Sequence, residues 1–215
     1  MMKISTSSKG AFISFEGIDG CGKSTQVKLL LERLNNEGID CMLVREPGGT
    51  DISESIRSIL LNNRNENMSS RTEALLMTAS RAQLTKESII PAINAGKYVI
   101  ADRFKDSTLA YQGAGRGIDI DYLVNLNDFA TYNLEPDFTI LLDINPNTVL
   151  ARLNNNKSDR IENAGMEFQA SVRSGYLKIA KQYPERVFQV DASQTIEVIH
   201  STIWRKTINF IDENN

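Results

Sequence analysis

Cysteine, histidine and proline are scarce in this chain of 215 residues, which holds 2 Cys, 1 His and 5 Pro. Two cysteines, Cys21 and Cys41, cannot form a disulfide framework, and neither lies in a CxxC or Cys/His cluster of the kind that binds zinc. Long apolar runs are missing as well. No stretch approaches eighteen consecutive apolar residues, and the first ten, MMKISTSSKG, contain nothing of signal-peptide type, so a cytoplasmic chain without a membrane span is expected. Basic excess is also absent. With 24 Lys and Arg against 27 Asp and Glu, the formal net charge is -3, which leaves no general surface for a nucleic-acid backbone. Anion binding must depend on positive charge gathered in a cleft.

What remains is ordinary globular composition, 41% hydrophobic and 24% charged, enough for one core and a single domain over 1–215. No repeat of fixed period and no Pro-rich or Gly/Ser-rich linker divides it. Apolar, β-rich runs recur at Ala11 to Phe15, Cys41 to Val44, Tyr98 to Ala101, Phe138 to Leu142 and Val187 to Val190. Segments of helical period separate them, so a parallel α/β sheet is expected. Val27, Leu30, Leu31 and Leu34 mark a helix that Gly38 closes. A long helix is expected from about Thr72 to Asn94, with Gly96 as its stop, and a closing helix on Ile196, Ile199, Ile203 and Ile208. The polar stretch Asn154 to Asn156 leads into Lys157 to Arg160, and the region 154–164 reads as a mobile lid.

Gly17-Ile18-Asp19-Gly20-Cys21-Gly22-Lys23-Ser24, followed by Thr25, matches GxxxxGK[ST] between a strand and a helix. Glycines let successive N–H groups face a phosphate, and the helix beginning near Gly22 adds the positive end of its dipole. Lys23 would bridge β- and γ-oxygens of ATP, and the Ser24 hydroxyl would ligate Mg²⁺. The architecture expected is a three-layer P-loop NTPase fold with a five-stranded parallel sheet flanked by helices. Asn156-Lys157-Ser158-Asp159 fits a guanine-reading NKxD pattern, but it follows a polar Asn run rather than a buried strand, and is set aside. Cys21, near a helix N-terminus, is expected to ionise more easily than an ordinary thiol.

Two further blocks follow strand ends, Arg45-Glu46-Pro47-Gly48-Gly49-Thr50 and Asp102-Arg103-Phe104. In an open α/β sheet both should converge on the P-loop's crevice. Together with Ser107, Thr108, Tyr111, Gln112 and the run from Gly113 to Gly117, the arrangement resembles the thymidylate kinase family over nearly the whole chain, as far as Asp159-Arg160-Ile161-Glu162 and Asp191-Ala192.

That resemblance implies transfer of the γ-phosphoryl group of ATP to dTMP. It implies that Asp19 accepts a hydrogen bond from the sugar 3′-hydroxyl, and that Arg103 holds the acceptor phosphate while Asp102 organises Mg²⁺ through water. Arg45 and Arg57 add charge around dTMP. Arg81 and Thr108 match base-reading positions, Tyr111 packs on the sugar, and Gln112 is a supporting contact. Because Gly20 leaves the P-loop without an arginine, the chain resembles members whose lid supplies one, here Arg152 or Arg160 with Lys157 between them. Met77 stands where the family usually has a phenylalanine against thymine, and offers polarizable contact without a stacking plane. A homodimer is also implied. Other readings are a kinase for dUMP or a broader pyrimidine set, and an ATP-driven switch with a protein partner. Phosphoryl transfer needs positioning and charge neutralisation rather than a strong base, so His200 reads as structural or exposed.

Overall fold

A computed structural model describes residues 10–152, 159–161 and 164–214. Each of the five expected apolar runs is a strand: β1 Phe12–Glu16, β2 Cys41–Arg45, β3 Tyr98–Asp102, β4 Phe138–Asp143 and β5 Val187–Asp191. They pair in parallel in the order β2-β3-β1-β4-β5. Parallel strands need crossovers, and the helices that make them cover both faces. Alternation along the central strands therefore feeds two cores. Phe12, Val99 and Ala101 pack with Leu84, Ile89 and Ala92 on one side. Ile13, Phe15, Tyr98 and Ile100 pack on the other side with Val27, Leu30 and Leu34.

Those last three belong to helix α1, Lys23–Asn36. Helix α2, Asp51–Leu61, starts on a Thr50 hydroxyl that accepts from the Ser53 N–H, as an N-cap residue should. The long helix expected from about Thr72 to Asn94 is present but not regular. It runs as α3, Ser70–Leu84, then a π-helical turn over Thr85–Ile89, then α4, Ile90–Asn94. Pro91 lies in the first turn of α4. Proline has no N–H to give the preceding turn, and its ring crowds the carbonyl there, so the wider turn just before it relieves both problems.

A second π-helical turn, Leu109–Gly115, follows the short helix α5, Lys105–Thr108, and carries Tyr111 and Gln112. Helix α6, Ile120–Thr131, is capped by the Asp119 carboxylate, and α7 spans Pro146–Arg152. Helix α8, Met166–Gln182, lies on the second π turn and meets the Tyr111 ring edge-on through Phe168 and Tyr176, with centroids 5.9 and 6.3 Å apart. The closing helix α9, Ile196–Asn214, buries Ile199, Ile203 and Ile211 and sets Trp204 under Arg33 of α1 at 4.1 Å. His200 is a partly buried residue of α9. No helix among the described residues is long and apolar enough to cross a membrane.

Candidate active site

Strand β1 ends on Glu16, and the chain then bends sharply because Gly17 adopts φ 140. A Cβ at Gly17 would stand 2.5 Å from the Leu142 carbonyl oxygen and 2.9 Å from Cys21 Sγ, so only glycine fits. Gly22 caps α1 at φ 97 with no side-chain cap bond, and the first turn of α1 contains no acidic residue. Its leading N–H groups thus present positive potential to the space in front of the loop. Lys23 folds back over that loop, its Nζ donating to the carbonyls of Gly17 at 3.0 Å and Ile18 at 3.1 Å. The Ser24 hydroxyl donates to Asp102 Oδ2 at 3.0 Å.

In front lies a crevice of about 440 Å³. Asp19, Gly20 and Gly22 to Thr25 form the P-loop wall, with Asp102 and Arg103 beside them. The opposite wall holds Arg45, Arg57, Met77, Arg81, Thr108, Tyr111 and Gln112, so the sequence's P-loop and acceptor blocks do meet. Gly17, Ile18 and Cys21 lie behind this surface rather than on it. Glu46, Pro47, Leu61, Ser107, Asp159 and Ile161 complete the lining.

Positive charge is concentrated on the wall opposite the P-loop. Arg45 pairs with Glu54 at 2.8 Å, and both Arg45 and Arg57 donate to the Pro47 carbonyl, at 3.1 and 2.7 Å. Partial burial and the neighbouring Arg45 charge pull the Arg57 pKa down. An anion between them would relieve both effects. Arg81 is only 2% exposed. Its guanidinium bonds Glu46 at 2.7 Å, Thr108 at 2.6 Å, Asn127 at 2.8 Å and the Phe104 carbonyl at 2.9 Å. Burial raises the pKa of Glu46 while Arg81 opposes the rise.

Between the two walls stands Arg103. Its φ of 76 is in the left-handed region, rare for a residue with a Cβ. The guanidinium pairs with Asp19 at 2.5 Å and donates to the Tyr111 hydroxyl at 2.8 Å, the Tyr176 hydroxyl at 3.0 Å and the Gly17 carbonyl at 2.9 Å. Tyr111 also donates to Asp19 at 2.8 Å. Burial alone would raise the Asp19 pKa, but the Arg103 and Lys23 charges outweigh it and hold the carboxyl at about 2. Glu16, directly behind, is different. Loss of solvent, helped by the nearby Asp106 charge, pushes its pKa up to about 7, although Phe104 N–H, Ser107 and Tyr176 all donate to it.

The thymidylate kinase family model matches residues 15–203. The chain belongs to the thymidylate kinase family. It is 47% identical to a thymidylate kinase of Caldanaerobacter subterraneus subsp. tengcongensis over 195 residues, 91% of this chain and 93% of that one. Against a thymidylate kinase of Enterococcus faecalis the identity is 44%, covering 96% and 99% of the two chains. The crystal structure of thymidylate kinase from Ehrlichia chaffeensis aligns with a TM-score of 0.76 at 36% identity, covering 92% of this chain and 98% of that one.

Two expectations drawn from the thymidylate kinase resemblance, and one drawn from the helix end at the P-loop, change on contact with the geometry. Arg160, expected over the phosphates, is 9% exposed and turned away. It donates to the Leu60 carbonyl at 2.8 Å and pairs with Glu73 at 2.7 Å. Glu73 is a buried carboxylate that also takes Gln112 at 3.0 Å and Arg116 at 3.1 Å, and a carboxylate without water needs such partners. Arg160 thus ties its own segment, 159–161, to helices α2 and α3. The Arg152 side chain, Lys157 and most of the expected lid lie outside the described residues. Arg81 is the second case. All its donors engage protein acceptors, so a base could gain one only by exchange. Cys21 is the third: its thiol is 2% exposed and tucked against Gly17, so the helix end beside it comes without the access that reactivity requires.

Sequence reasoning missed the roles of Glu16, Glu73, Asn127 and Tyr176, which touch the site residues rather than the crevice. Glu16 yields a pH test. Its folded pKa of about 7 lies above the ordinary 4.5, so its contribution to stability is full below about 4.5 and is lost as pH rises through 7. Thermal unfolding of wild type and Glu16→Gln at several pH values should show the wild type losing stability relative to the variant across that window, by on the order of a few kcal/mol. Parallel curves would place the Glu16 pKa near its ordinary value.

Proposed function

We propose that the chain transfers the γ-phosphoryl group of ATP to dTMP, giving ADP and dTDP, as a single cytoplasmic P-loop kinase domain over 1–215. The observation that carries this reading is the shared crevice, in which Lys23 of the P-loop and Arg45, Arg57 and Arg103 of the acceptor side line one space. Two phosphate-binding clusters facing each other suit an in-line displacement between a donor and an acceptor phosphate. Such a reaction passes through a loose transition state and is accelerated by alignment and charge neutralisation.

On this reading the P-loop from Gly17 to Thr25 takes the ATP phosphates, and Lys23 exchanges its carbonyl partners for phosphate oxygens. Arg103 holds the acceptor phosphate and meets the charge that develops as the phosphoryl group moves. Asp19, held ionised by Arg103 and Lys23, accepts from the 3′-hydroxyl. Tyr111, whose ring lies 4.8 Å from the Arg103 guanidinium, packs on the sugar, with Gln112 behind it. Thr108, Arg81 and the partly buried Met77 form the base wall.

The Ser24 hydroxyl and the Asp102 carboxylate, 3.0 Å apart on the crevice wall, suit Mg²⁺. This ion takes six oxygens, usually one or two from protein and the rest from phosphates and water. Bound there, it would neutralise β- and γ-oxygen charge.

A homodimer completes the proposal. Ile52 and Ile59 of α2, Leu75 of α3, and Tyr122 and Phe129 of α6 are exposed, Phe129 by 84%. Since α3 contacts both α2 and α6, these side chains supply apolar area on three adjoining helices, suited to a second copy.

Steady-state ADP release with a panel of nucleoside monophosphates tests the activity. The expected result is strong dependence on acceptor, with dTMP giving the highest kcat/KM. Equal use of dUMP would widen the substrate to a pyrimidine set, and ADP release indifferent to acceptor would replace the kinase with an ATP-driven switch.

Met77 offers a finer test. If it lies against the base, Met77→Ala removes a sulfur–aromatic contact of roughly 0.3 to 1.5 kcal/mol, so the dTMP KM should rise by up to about tenfold while the ATP KM holds. A fall in melting temperature with unchanged dTMP KM would make Met77 a packing residue only.

A further inference from the structure

Glu16 is the last residue of β1 and 1% exposed, and Tyr176 lies 160 residues later on α8 at 2% exposure. Neither lines the crevice. A carboxylate buried at a strand end is costly unless donors converge on it, and three do. Phe104 N–H reaches Oε1 at 2.7 Å, while the Ser107 and Tyr176 hydroxyls reach Oε2 at 2.6 and 2.8 Å. All three connect to Arg103. Phe104 is its chain neighbour, and the Tyr176 and Ser107 hydroxyls accept from its Nη1 at 3.0 and 3.4 Å.

Arg103 needs this support for two reasons. Its backbone is in the left-handed region, which is disfavoured for a residue with a Cβ. That conformation is fixed on one side by its own N–H donating to the Phe15 carbonyl at 2.9 Å, and on the other by the Phe104 N–H on Glu16. Its side chain carries a charge among groups shielded from water, where direction must come from acceptors built into the fold. Asp19 and Tyr111 hold Nη2 from the crevice side, and Tyr176, Ser107 and Gly17 hold Nη1 from behind.

We infer that Glu16 and Tyr176 are positioning residues for phosphoryl transfer: Glu16 fixes the Arg103 backbone through Phe104 N–H, and its hydrogen bond with Tyr176 orients the phenol that aims the guanidinium. The pair touches no substrate and acts only through Arg103. This rests on the reading that Arg103 serves the transferring phosphoryl group. It also makes α8, which follows the segment 159–164, part of what sets that arginine's direction.

Tyr176→Phe is the clean variant, because the ring stays and only the hydroxyl leaves. Losing the hydroxyl, which bonds both Glu16 and Arg103, should lower kcat roughly ten- to a hundredfold. The ATP KM should stay within about twofold, since the P-loop is untouched. The lost buried hydrogen bonds should lower the melting temperature by roughly 3 to 12 °C.

The decisive arm repeats the change in an Arg103→Met background, followed by single-turnover kinetics. A residue that acts through Arg103 should then cost less than about twofold, whereas a general structural effect would persist in full. A single variant within twofold of wild-type kcat, or a drop of equal size in both backgrounds, overturns the inference. Failure of the activity reading itself looks different, because wild-type protein would then release no ADP in response to dTMP.

Discussion

The Arg103–Asp19 ion pair is the contact on which the two halves of the site depend. Asp19 belongs to the P-loop and Arg103 to the segment after β3, yet the two groups meet at 2.5 Å with side chains only 25% and 14% exposed. Removing one partner from such a pair leaves an uncompensated charge away from water, a loss typically of 3 to 5 kcal/mol. The pair is also surrounded. Tyr111 bridges both members, Lys23 adds a second positive charge, and Glu16 and Tyr176 stand behind Arg103. The P-loop and the turn after β3 are thereby held in one geometry, the kind of preorganisation that phosphoryl transfer rewards.

Sheet order makes this meeting possible. With β1 between β3 and β4, Phe15 registers with Asp102, so the turns after β1 and β3 must leave the sheet side by side. One turn becomes the P-loop and the other presents Asp102 and Arg103. The turn after β2, next along the sheet, brings Arg45 and Glu46. Ligand chemistry outside the carboxyl ends of parallel strands is the general expectation for such sheets, and the crevice here lies among these three turns.

Much of this was legible beforehand because it is local in sequence. Parallel strands write themselves as apolar runs, buried almost throughout in β1, β3 and β4 and only partly in the edge strands β2 and β5, and all five lie within a residue or so of where those runs place them. The P-loop reads directly because its geometry demands glycine. The π turns do not read, since helical spacing is blind to one extra residue per turn, and only Pro91 hints at the first. Tyr176, Glu73 and Asn127 escaped for another reason: each is defined by a partner far along the chain, and nothing in an isolated tyrosine of an amphipathic helix marks it as the neighbour of Glu16. Arg160 was misplaced by the same blindness. Position near the lid suggested phosphate, but the buried charge of Glu73 decides where its guanidinium goes.

The account stands on Arg103 as the charge that links acceptor and donor. Single-turnover phosphoryl transfer by Arg103→Met, at saturating ATP and dTMP, tests it most directly. A positioned arginine on a transferring phosphoryl group is worth about 10³ or more in rate, so the account predicts a loss of that order with ATP binding preserved. Transfer at near the wild-type rate, with only dTMP affinity reduced, would contradict it.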